Sequence, residues 1–71
     1  MIDYPVNVKS VYYRATRHKV DLNNLHSALH DCLVKAGVLE DDNYKIIAST
    51  DGSRVEIDKE NPRVEIEICK K

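Results

Sequence analysis

From Asp21 to Gly37 the chain repeats its apolar residues at helical spacing, and no other stretch constrains the fold so tightly. Leu22, Leu25, Ala28, Leu29, Cys32, Leu33 and Ala36 fall on one stripe roughly 140° wide when each residue turns about 100°. Asp21 stands at the N-cap position, where its carboxylate can accept the free N–H groups of the first turn. Gly37 stands where a left-handed C-terminal cap belongs. Such a helix must lay its stripe on another element, so the rest of the chain has to supply a sheet.

The remaining segments read as short strands. Residues 6–13 are rich in Val and Tyr and predict a strand, with Pro5 at its entrance. Residues 44–48 predict a second strand around Ile46 and Ile47, followed by the turn signal Asp51-Gly52. The sequence Arg-Val-Glu-Ile then occurs twice, at 54–57 and 63–66, with Asn61-Pro62 between the copies. We expect these copies to pair as an antiparallel hairpin. Val55, Ile57, Val64, Ile66 and Ile68 would face the helix, and Glu56, Glu65 and Glu67 would face solvent. The fold class is α+β: one main helix on a small antiparallel or mixed sheet, in the order β-α-β-β or β-α-β-β-β.

With 71 residues there is room for one domain, 1–71, near the lower limit for a self-sufficient core. The chain has no Trp and no Phe, so the core is thin and a dimer would complete it. A formal charge of −1 argues against a general polycationic binder and confines any nucleic-acid affinity to a local basic patch. Two cysteines make no disulfide framework, and Cys32 is expected to pack as a small hydrophobe. No targeting motif or long apolar run is present, which predicts a cytoplasmic protein with no membrane partner.

Three groups of polar residues bear on function. Asp21 and Asn23 open the helix, and Glu40-Asp41-Asp42 follows it. Taken singly, these are a helix cap and a solvated turn. A fold that returns the chain to the helix start would let them share a divalent cation. Arg14, Arg17, His18 and Lys19 form a basic connection in front of the helix, suited to backbone phosphate or to plain solvation. His26 and His30 are four residues apart on one helix face, and a solvated polar pair is the expected reading.

In this stretch the chain resembles the RusA family of Holliday-junction resolvases. That family's central motif runs Asp-x-Asp-Asn-Leu, then a helix carrying Lys and Asp, then Ala-Gly, then Asp-Asp. Asp21, Asn24, Leu25, Asp31, Leu33, Ala36, Gly37, Asp41 and Asp42 keep that register without a gap, over a resemblance covering residues 5–68. Asn23 replaces the second acid and Ser27 the helix lysine. The family's Pro-rich opening has no counterpart, so the expectation is a truncated RusA-like domain.

The resemblance implies a Mg²⁺-dependent endodeoxyribonuclease acting on branched DNA, as a homodimer, in recombination and repair. Asp21, Asn23 and Asp42 would be the catalytic and metal-binding residues, and Arg14, Arg17, His18 and Lys19 the DNA contacts. Both departures weaken the chemistry. The alternative is a non-catalytic dimeric remnant of prophage origin that binds DNA or protein.

Overall fold

Alternating Val, Ser and Tyr residues place one strand at the centre of the molecule. A computed structural model of the chain describes residues 1–16 and 19–71. Strand β1, Val6–Arg14, buries Val6, Val8, Ser10 and Tyr12 on one face. Helix α1, Leu22–Lys35, packs over that face through Leu33, Val34 and the Tyr12–His26 contact. Three further strands, β2 (Ile47–Ser49), β3 (Arg54–Ile57) and β4 (Arg63–Lys70), complete a four-stranded sheet. The result is the expected small α+β fold, and its sheet is mixed.

Strand β4 runs antiparallel to β1 along one edge, from Val6 opposite Lys70 to Tyr13 opposite Arg63. The other edge of β1 carries β2 beside Val6 and Asn7, then β3 beside Val11 to Arg14, both parallel. Between β2 and β3 the chain makes a short excursion around Gly52, whose φ is +87°. Asn7 holds this excursion in place. Its Oδ1 accepts from Ser49 Oγ at 2.6 Å and from Asp51 N at 2.8 Å, while its Nδ2 donates to the Asp51 carbonyl at 3.2 Å.

The expected hairpin between the two Arg-Val-Glu-Ile copies does not form. They flank β1 on opposite edges, and 58–62 carries the chain around the end of that strand. The reason is that β1 is the longest and most buried strand, so each copy gains more by pairing with it than with the other. The alternation itself is right: Val55, Val64 and Ile66 share the helix-side face through their register with Tyr12 and Ser10. The helix leaves them uncovered, however, and Val55, Ile57, Val64 and Ile66 stay 37–43% exposed. The strand expected at 44–48 begins only at Ile47, because Asn43 closes a turn there. Its carbonyl accepts from Ile46 N and Ile47 N, and its Oδ1 accepts from Lys45 N.

The core is Val6, Val8, Leu39 and Ile46, with Leu33, Val34, Ile47 and Ile68 packed against it. Relative to the expected stripe, α1 is rolled by about 70° at 3.6 residues per turn. Leu22, Leu25, Leu29 and Leu33 keep partial cover, His26, His30 and Val34 turn inward, and Ala28, Cys32 and Ala36 are exposed. Small side chains bury little area, so the roll sacrifices little apolar contact. Cys32 therefore does not pack as a core hydrophobe. The helix ends as expected: Gly37 has φ +79°, Gly37 N donates to the Val34 carbonyl and Val38 N to that of Leu33, a Schellman cap. Among the described residues no helix is long and apolar enough to cross a membrane.

Candidate functional site

The start of α1 forms as the capping rule requires. Asp21 has extended backbone, and its Oδ1 accepts from Asn23 N at 2.9 Å. One carboxylate oxygen is thereby committed to the helix. Asn23 and Ser27 lie exposed on the flank of α1 next to His26 and His30. Among the described residues no hydrogen bond engages the Asn23 side-chain amide or the Asp42 carboxylate.

Leu39 fixes the position of the acidic turn. It is fully buried, and the backbone around it is tied to Ile2: Ile2 N donates to the Val38 carbonyl and Glu40 N to that of Ile2, each at 2.8 Å. Asp41 is used internally, its Oδ1 accepting from Asp42 N at 2.7 Å and its Oδ2 from Asn43 Nδ2 at 3.0 Å. Asp42 is exposed, and its charge acts on His30, favouring the protonated imidazole. Asp21 and Asn23 stand together at the helix start, and Asp42 lies in the turn that the Ile2 backbone ties down.

Among the described residues no three His, Cys, Asp or Glu side chains gather to hold a metal ion. Two carboxylates and an amide are a different donor set. Asp21, Asn23 and Asp42 are exposed and offer only oxygens, which suits a hard divalent cation at two formal negative charges.

The two histidines are not the solvated pair that their spacing suggested. His26 is 9% exposed and His30 8%. Their rings stack, with centroids 5.2 Å apart and planes 8° from parallel. Tyr12 Oη and His26 Nδ1 share a hydrogen bond of 2.7 Å across the helix–sheet interface. Burial lowers the proton affinity of both imidazoles; for His30 the charge of His26 lowers it further and Asp42 partly opposes. Burial also raises the Tyr12 phenol, with the Ser10 hydroxyl acting against it. The tautomer of the imidazole sets which of the two groups donates. His30 Nε2 is buried with no hydrogen-bond partner among the described residues. The signal in the sequence was positional: 26 and 30 adjoin Leu22, Leu29 and Leu33 on the helical wheel.

Of the basic connection, Arg14 closes β1 half-buried, its carbonyl accepting from Asp58 N at 2.9 Å, and Lys19 is exposed. Arg17 and His18 lie outside the described residues.

The family model described as Endodeoxyribonuclease RusA matches residues 4–69 of the chain. No curated protein and no solved structure matches it.

Proposed function

The chain belongs to the RusA endodeoxyribonuclease family, and from that premise we propose that it is a weak, metal-dependent nuclease selective for four-way junctions. The match over residues 4–69 carries the reading, because it spans both ends of the acidic constellation. Asp21, Asn23 and Asp42 are the residues that would hold Mg²⁺. When bound, Mg²⁺ lowers the pKa of a water and neutralises charge on the leaving oxygen. Two carboxylates and an amide supply less charge than three carboxylates, so affinity for the ion is reduced. Ser27 gives no cation to a scissile phosphate. Arg14 and Lys19, with Arg17 and His18 in the same connection, neutralise backbone phosphates beside an otherwise repulsive acidic surface.

A second copy would complete the molecule. The accessible surface is 4896 Å², against about 4500 Å² for a compact monomer of this mass. The uncovered Val55, Ile57, Val64 and Ile66 supply an apolar face for a two-fold contact. Such a dimer would match the two-fold symmetry of a four-way junction.

The test is cleavage of a synthetic four-way junction with Mg²⁺ or Mn²⁺. Slow cutting that vanishes in Asp42→Asn supports the nuclease, and Asn23→Asp with Ser27→Lys should accelerate it. The capped Asp21 oxygen and the two substitutions favour one other reading, a prophage-derived dimer that binds junctions without cutting. Selective binding by the native chain, with cutting only in the restored double variant, would identify that case.

A further inference from the structure

Strand β4 presents a long free edge. Among the described residues it pairs with β1 alone, over all eight of its positions. Its other edge therefore carries unpaired backbone N–H and C=O groups, with Val64, Glu65, Ile66 and Glu67 exposed along it. That edge lies in the plane of the sheet and borders, at Val64 and Ile66, the apolar face on which a second copy would sit.

The side chains on β4 select what such an edge accepts. Glu65 and Glu67 lie on the face away from the helix, opposite Val11 and Lys9 of β1. Glu65 is bridged to Arg63 at 2.7 Å, and Arg63 is shared with Asp58 at 2.8 Å and stacked on the Tyr13 ring at 3.8 Å. Glu67 accepts from the Cys69 thiol at 3.3 Å, and no cation lies within ion-pair distance of it among the described residues. On the β1 side both glutamates meet a shallow hollow that Val11, Tyr13, Lys9 and Arg54 also line, so the acceptor for a basic side chain is the outer flank of Glu65 and Glu67. Self-pairing fits poorly. Antiparallel registers centred on Glu65, Ile66 or Glu67, the ones that would cover Val64 and Ile66, set glutamate against glutamate.

We propose that β4 is a docking edge for an extended protein segment that alternates basic and apolar side chains. The segment adds a fifth strand beside β4. Its backbone pairs with the free edge, its apolar residues extend the row of Val64 and Ile66, and its basic residues meet Glu65 and Glu67.

The probe is a blocked heptapeptide of alternating lysine and valine, titrated into the isotopically labelled full chain and followed by NMR. The expected result is shifts confined to the amides of 63–70, with interchain contacts from peptide to β4 backbone. Glu65→Gln combined with Glu67→Gln should weaken binding roughly 2- to 30-fold, at about 0.2–1 kcal/mol per cross-strand pair. The amide spectrum of the double variant shows directly whether it is folded. Equal binding of the glutamate–valine counterpart would overturn the proposal. So would the absence of β4 shifts with any peptide, or a β4-to-β4 dimer occupying the edge. None of these outcomes depends on cleavage, so the proposal and the nuclease reading stand or fall separately.

Discussion

Replacing Tyr12 by Phe isolates the hydrogen bond that seats the helix on the sheet. The substitution keeps the ring, which is 5% exposed, and removes only the hydroxyl bonded to His26 Nδ1 at 2.7 Å. Nδ1 then joins His30 Nε2 as a second buried nitrogen without a partner among the described residues. Leaving a buried polar group unsatisfied costs about 1–3 kcal/mol, more than the roughly 1 kcal/mol net worth of an average hydrogen bond. A chain of this length has a total stability of roughly 4–11 kcal/mol, so the loss is a substantial share of it. Each kcal/mol moves the midpoint of a small domain by about 4–8 °C, which puts the expected drop at roughly 4–24 °C. The assay is thermal and urea unfolding of four proteins: native, Tyr12→Phe, His26→Leu and the double variant. Replacing both partners by apolar groups should recover much of either single loss, giving a coupling of about 1–2 kcal/mol. Additivity within about 0.5 kcal/mol would mean that the two side chains are not coupled, because unbonded residues give that result.

Acid should unfold the protein early. His26 and His30 have lowered proton affinity in the fold, so the unfolded chain takes up protons first. Their contribution is complete above the unfolded pKa of about 6.5 and is lost as pH falls below it. Midpoints measured between about pH 8 and pH 5 should fall steeply, and His26→Leu with His30→Leu should flatten the profile. Leu39→Ala empties a fully buried site under the acidic turn and should cost about 2–5 kcal/mol in urea unfolding. Asp21→Ala removes the helix cap and should cost about 0.5–2 kcal/mol. If Asp21 also holds the metal, Asp21→Asn should keep most of the stability and still abolish junction cleavage.

Local rules made the helix legible. Asp21, the leucine spacing and Gly37 are each determined within a few residues, and each appears where the sequence put it. Strand identity was legible too, since alternation reports which side chains share a face. Strand partners were not. The repeated Arg-Val-Glu-Ile segments resemble two arms of a hairpin, and only the competition for β1 separates them. The roll of α1 escaped for a similar reason. Period 3.6 marks a stripe, but which edge of the stripe sinks depends on a partner such as Tyr12, fourteen residues away from His26. The histidines were therefore read as solvated when they are the polar part of the interface. At the acidic constellation the residue types spoke of oxygen ligation, while the position of the acidic turn is set by the bridge from its neighbour Leu39 to Ile2, in a distant part of the chain.

Titrating Mn²⁺ into the labelled protein and reading paramagnetic broadening tests most directly whether the acidic groups act as one site. Amides at 21–23 and at 41–43 should broaden together at the same low Mn²⁺ concentration, and Asp42→Asn should weaken the effect at both. Broadening at one group alone, or at neither before other surface carboxylates respond, would contradict a shared site.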